Sequence, residues 1–306
     1  MIADPCLVTG AYGFLGRHVA RLLAASGHRV VGLGHGSWGR TEWSEWGLAS
    51  WHPTDVTLDA LVTYGNEPGA IVHCAGGASV AFSMAHPYED FRRTVDSTAA
   101  VLEFARLHAR GARVVLASSA GVYGEVPAAP IPESAPCTPV SPYGAHKKMA
   151  EDLCRSFSKG GGLSTAVVRL FSVYGPGLRK QLLWDACERL ARGENSFFGT
   201  GGEVRDWLHV EDAAALLVAA LESASADCPV FNGGTGVGTS VRDVLATLFE
   251  ALGRTDKPNF SAQARTGDPS TLVADASRAF AVGWRPTYVW QDGISAFAAW
   301  HLAGAR

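Results

Sequence analysis

Tyr143 and Lys147 stand four residues apart in the stretch Ser141-Pro142-Tyr143-Gly144-Ala145-His146-Lys147, so on a helix a phenol and an ammonium share one face. An ammonium beside a phenol favours the phenolate, and the spacing predicts a tyrosine pKa lowered from ~10 by roughly 1–3 units. Tyr143 is thereby a candidate proton donor and acceptor near neutral pH. A pair this short recurs by chance, so its weight rests on the elements that would have to position it.

Those elements can be read along the chain. Cys6-Leu7-Val8-Thr9 is a short apolar run that meets Gly10-Ala11-Tyr12-Gly13-Phe14-Leu15-Gly16, after which Val19, Leu22 and Leu23 recur at helical spacing. Strand, glycine turn and helix let a backbone approach a pyrophosphate while the helix N-terminus offers unpaired N–H groups. Gly10, Tyr12, Gly13, Phe14, Leu15 and Gly16 are the candidate cofactor residues of that turn. A second strand, Arg29–Leu33, ends in Gly34-His35, where dinucleotide folds that select NAD carry an acid for the ribose 2′-hydroxyl. Without that acid nothing repels a 2′-phosphate, and His35, Arg40 or Arg17 could meet one. The sequence therefore favours NADP(H), with NAD(H) as the alternative.

Asp55-Val56 closes a third segment, and Ala70-Ile71-Val72-His73 reads as a buried strand feeding Cys74-Ala75-Gly76-Gly77, small residues that admit a flat ligand. A helical pattern at about 88–109 leads to the strand Arg113–Ala117, which runs into Ser118-Ser119 at the carboxyl edge, where such sheets bind ligands. Period-two alternation puts only one of these serines on the ligand side. A Pro-rich loop precedes the Tyr143 helix, and the strand Ser164–Leu170 follows it. Strands alternating with helices predict an α/β fold, a doubly wound parallel sheet of the Rossmann type. The expected division is an NAD(P)-binding domain over residues 1–170 and a smaller substrate-binding lobe over 171–306, some of whose segments return to the first domain.

Composition narrows the partners. The 306 residues are 47% hydrophobic and 18% charged, with a net charge of −3 and no long basic run, which argues against nucleic acid or an acidic membrane surface. No apolar run approaches the roughly 20 residues that span a bilayer, and Met1-Ile2-Ala3-Asp4-Pro5-Cys6 lacks the regions of a signal peptide. The six cysteines are scattered without a Cys-x-x-Cys pair, the pattern of reduced thiols in a cytoplasm. The dispersed histidines suggest no metal site.

Taken together, the ordered motifs resemble those of the extended short-chain dehydrogenase/reductases, in particular the nucleotide-sugar epimerase, dehydratase and reductase group. They are Thr9–Gly16, Asp55-Val56, His73–Ala75, Ser118–Gly124, Ser141–Lys147 and Val168–Pro176, continued by Phe198–Asp212, Phe231–Thr235 and Arg265–Asp268. The resemblance implies Tyr143 as acid/base, Lys147 as the residue that binds the nicotinamide ribose and lowers the tyrosine pKa, and Ser119 as a hydrogen-bond donor to the reacting sugar oxygen. It implies Asp55 on the adenine and Arg205 and Arg265 on a substrate diphosphate, with Ser79, Val80, Ser83 and Ser172 as further sugar or phosphate contacts. Asp206, His209 and Asp212 are expected to fix a loop and a helix start. Ala120 and Gly121 stand where 4,6-dehydratases of the group carry an Asp-Glu pair, which disfavours that reaction. Thr94 and Ser172 replace the group's asparagines.

The first expectation is NADPH-linked reduction of a nucleotide-diphosphate 4-keto-(6-deoxy)hexose. The alternative is an NAD-dependent C4 epimerase that uses the same residues, and a non-catalytic dinucleotide-binding scaffold is the third. The resemblance also implies a homodimer formed by the helices at about 88–109 and 142–159.

Overall fold

A computed structural model describes residues 2–126, 129–263 and 270–304. Six strands come first: β1 (Cys6–Thr9), β2 (Val30–Gly34), β3 (Leu48–Pro53), β4 (Ala70–His73), β5 (Arg113–Ser119) and β6 (Ser164–Leu170). Three outside the main sheet follow, β7 (Ser172–Tyr174), β8 (Ser196–Phe197) and β9 (Val204–His209), and then β10 (Val230–Gly233). The main sheet has the order β10-β6-β5-β4-β1-β2-β3 with every neighbouring pair parallel. Chain order reverses between β1 and β4, so the loops at their carboxyl ends diverge and open a crevice.

Both faces of these strands are buried, which is why they read as continuous apolar runs. Val8, Val30, Val72 and Val115 enter one layer with Val19 and Leu23 of the helix Phe14–Ala25. Their neighbours Leu7, Val31, Ile71 and Val114 enter the other, with Val101, Leu102 and Phe104 of the helix Ser97–His108. Alternation along each strand thus supplies two cores from one sheet.

The later chain builds a smaller core from Leu183, Trp207, Leu245, Phe249 and Phe297. β11 (Gly238–Ser240) and β13 (Thr271–Leu272) flank β9, which also pairs with β7, while β12 (Asn259–Phe260) pairs with β8. The helix Val210–Ser223 packs back on the main sheet through Leu216, Leu217 and Ala220. Buried acids stitch the crossings. Asp206 accepts hydrogen bonds from the amides of Thr235, Gly236 and Ala274, and Asp212 from those of Thr287 and Tyr288. His209 caps the helix that Asp212 enters, so all three residues serve the loop and helix start.

The helix Pro142–Gly161 carries the Tyr143–Lys147 pair. It starts where the Ser141 hydroxyl accepts from the Gly144 amide at 3.2 Å and Pro142 occupies the first turn, and it ends at Gly162 in the left-handed conformation, φ 71°. Behind it lies a buried ion pair. Arg169 donates Nη2 to Glu151 Oε2 at 2.8 Å and Nε to Oε1 at 3.0 Å, and its Nη1 reaches the Tyr123 hydroxyl at 3.0 Å.

Candidate active site

The carboxyl ends of β1, β4, β5 and β6 and the edge of the smaller lobe enclose a cleft of about 1080 Å³. On one side lie Gly10, Tyr12, Gly13, Phe14, Leu15 and Gly16. Gly10 has φ +69°, and a Cβ there would lie 2.7 Å from the Ala75 amide nitrogen, so only glycine lets the two loops meet. Gly13 gives no side-chain cap to the helix Phe14–Ala25, leaving first-turn amides for an anionic ligand. This cradle fits a dinucleotide pyrophosphate. Cys74, Ala75 and Gly76 continue the wall toward Ser119, Tyr143 and Lys147, while Ser172 and Arg205 line the far side.

The two serines separate as alternation requires. Ser118 is buried and donates to Glu151 Oε1 at 2.7 Å, whereas the Ser119 hydroxyl accepts from the Gly121 amide at 3.1 Å and lines the cleft with Tyr143. Lys147 is buried and donates Nζ to the Ala117 carbonyl at 3.0 Å. Burial brings its pKa down to about 8, against the opposing pull of Cys74, Asp90 and Glu151. The tyrosine departs from expectation. Burial raises the Tyr143 pKa, the neighbouring Ser119 hydroxyl works the other way, and the charge of Asp90 adds to the rise. A lowered value does not result, because the Lys147 ammonium gives its hydrogen bond to a backbone carbonyl and desolvation of the phenolate outweighs its neighbours.

At the opposite end lie the cations that the sequence offered to a 2′-phosphate. His35 Nε2 lies 2.8 Å from Asp55 Oδ1, and both line the cleft beside Val56. The Arg17 guanidinium donates to the Tyr12 and Gly13 carbonyls and lies 5.2 to 5.5 Å from the rings of Tyr12, Trp38 and Trp46. Arg40 is exposed at the start of the helix Arg40–Glu45, off the cleft wall. The cations expected for a 2′-phosphate are thus paired, stacked or elsewhere. Gly34 has its own reason to lack a side chain: at φ +149°, a Cβ would sit 3.1 Å from the Gly10 amide.

Three of the softer expectations also change. Ser79 is off the wall and caps the helix Val80–Ala85 by accepting from the Phe82 amide. Val80 is exposed outside the cleft. Ser83 is buried and accepts from the Tyr143 amide at 3.0 Å, so it supports the Tyr143 helix from behind. Arg265 lies outside the described residues. The wall includes Lys180, Gln181 and Phe198, to which the sequence assigned no role. Phe198 stood in a quoted motif as a large apolar side chain beside glycine, which was its signal; Lys180 and Gln181 follow a Gly-Pro-Gly turn and carried none.

Residues 6–234 match the family described as the NAD dependent epimerase/dehydratase family. A UDP-glucose 4-epimerase of Azospirillum brasilense is 33% identical, with 94% of this chain and 89% of that protein aligned. Among solved structures, a UDP-glucose 4-epimerase of Thermotoga maritima with UDP-glucose superposes with a TM-score of 0.88 at 29% identity, covering 99% of this chain and 100% of that one. A UDP-glucose 4-epimerase of Thermus thermophilus in complex with NAD gives 0.87 at 30% identity, with 99% and 100% covered. With a glycine cradle, with Ser119, Tyr143 and Lys147 on one wall, and with this match over most of its length, the chain belongs to the NAD dependent epimerase/dehydratase family.

Proposed function

We propose that the protein is an NAD-dependent 4-epimerase of a UDP-sugar. The observation that carries the reading is the convergence of Ser119, Tyr143 and Lys147 in the cleft that also holds the glycine cradle. The similar proteins support the epimerase alternative over NADPH-linked reduction, since they act on UDP-glucose and one is complexed with NAD. The pairing of His35 with Asp55 supports NAD over NADP in the same direction. Retention of Ser119, Tyr143 and Lys147 on one wall argues against a non-catalytic scaffold.

NAD held by the glycine cradle would supply reversible hydride acceptance for sugar C4. Tyr143 takes the proton of the 4-hydroxyl in the first half and gives it back in the second. Ser119 holds the sugar oxygen within reach of the phenol. Lys147, with its burial-lowered pKa, supplies positive charge on the ribose side of the tyrosine. Arg205, and Arg265 by the resemblance, would hold the diphosphate so that the sugar can turn without leaving. Ser172 offers a hydroxyl on the same wall in place of the asparagine amide.

The test is incubation with UDP-glucose and either cofactor, followed together by absorbance and product NMR. The proposal expects UDP-galactose with NAD and no net nicotinamide reduction. Inert UDP-glucose combined with stoichiometric NADPH consumption on a keto-sugar would return the reductase reading.

A further inference from the structure

Away from the cleft, at the amino end of the main sheet, a carboxylate, a thiol and an imidazole come together. The ligand atoms of Asp4, Cys6 and His28 all lie within 4.8 Å of one another. His28 Nδ1 is 2.8 Å from Asp4 Oδ1, and the Cys6 thiol makes a long contact of 4.0 Å to the Ala3 carbonyl. Cys6 is buried, His28 half-buried and Asp4 exposed, so the group has an inner thiol side and an outer carboxylate side.

Strand pairing rather than sequence proximity assembles it. Cys6 opens β1, pairs with Val30 of β2 and Ala70 of β4, and donates its amide to the Arg29 carbonyl at 2.9 Å. The Pro5 carbonyl accepts from the Gly69 amide, and the His28 amide donates to the Leu23 carbonyl just past the helix Phe14–Ala25. His28 is 24 residues from Asp4, which is why no spacing signal marks the group.

Thiolate, imidazole and carboxylate bound at about 2.0–2.3 Å to one tetrahedral zinc ion stand about 3.3–3.6 Å apart. Side-chain movements of about 1 Å bring the three ligand atoms to that separation. Sulfur and imidazole together select a zinc-type cation over magnesium or calcium.

We propose that Asp4, Cys6 and His28 bind one divalent zinc-type cation through Oδ1, Sγ and Nδ1, with water completing the tetrahedron. The cation replaces the thiol proton and the hydrogen between His28 and Asp4, so its affinity rises with pH. It joins the segment before β1 to the turn before β2. The glycine cradle lies past the other end of β1, so the expected effect is on stability rather than on turnover, and nothing in it depends on the epimerase reading.

Cobalt(II) titration of the full chain, purified without a histidine tag, reads the site directly, because a thiolate–cobalt bond gives a near-ultraviolet charge-transfer band that carboxylate and imidazole alone do not. One equivalent is expected to bind with that band, and zinc to displace it. Zinc at about a hundredfold excess over its Kd should raise the wild-type Tm by about 5 °C. His28→Ala and Cys6→Ser should each lose both signals. A wild type without the band or without the Tm rise, or a band that survives in His28→Ala, overturns the proposal. Should Cys6→Ser, a core position, fail to fold, Asp4→Ala at its exposed position decides: binding should weaken by at least the roughly tenfold that even outer partners of a metal contribute, and unchanged affinity overturns the proposal.

Discussion

The placement of Tyr143, Ser119 and the glycine turn on one cleft was legible because it depends on local order: an i,i+4 pair, a strand end, a tight turn. The tyrosine's ionisation was not, because the groups that set it, burial and Asp90, arrive from distant segments. Asp90 itself looks in sequence like the half-buried Glu89 beside it, and only packing distinguishes them. The same holds for cofactor preference. A missing acid at Gly34 suggested NADP(H), and the contact that exposed His35 makes with Asp55 could not be read from either segment alone. At this scale Tyr143→Phe is expected to cut turnover by about 10²–10⁴-fold with NAD affinity largely intact, and near-normal rates would remove the acid/base assignment. Fluorescence titration should give a tighter Kd for NAD than for NADP. Gly34→Asp should lower Tm without improving NAD binding, since the side chain meets the Gly10 backbone.

Elements were legible in type more readily than in contact. The apolar strand runs and Ser141-Pro142 marked β1, β5 and the start of the Tyr143 helix, and the structure supplies the cap and two-sided burial that explain them. The pairing of Glu151 on that helix with Arg169 on β6 had no sequence signal beyond two charges in otherwise apolar surroundings. Removing one partner leaves the other buried and uncompensated. Arg169→Ala should therefore destabilise the fold by about 3–5 kcal/mol in urea unfolding, whereas a loss under 1 kcal/mol would mean that Glu151 finds water or another partner.

For the whole molecule, the parallel sheet and its seven strands were legible from the alternation of strand and helix, but Val230–Gly233 was not recognised as the strand at its edge. β10 is drawn from the later chain, and its place beside β6 depends on a crossing tied down by Asp206 and Asp212. Two buried histidines make stability depend on pH. Burial lowers His73 from an ordinary 6.5 to about 3 and His18 to about 4. Between about 6.5 and those values the unfolded chain binds protons that the folded chain refuses, so stability falls as pH falls, by about 1.4 kcal/mol per unit for each group. Urea midpoints at pH 7.5 and 5 should show that loss, and His73→Asn should remove about one proton of the slope. A homodimer through the helices Ser97–His108 and Pro142–Gly161, which expose Leu107 and Met149, is open to sedimentation analysis.

In the proposed epimerisation one hydrogen leaves C4 and returns to the same carbon within a single active site. NMR of the product formed from UDP-glucose deuterated at C4, incubated with the NAD-loaded protein, follows that hydrogen. UDP-galactose with deuterium retained at C4 is expected; product with the label washed out, or no change at C4 in protein that binds both ligands, would contradict the epimerase reading.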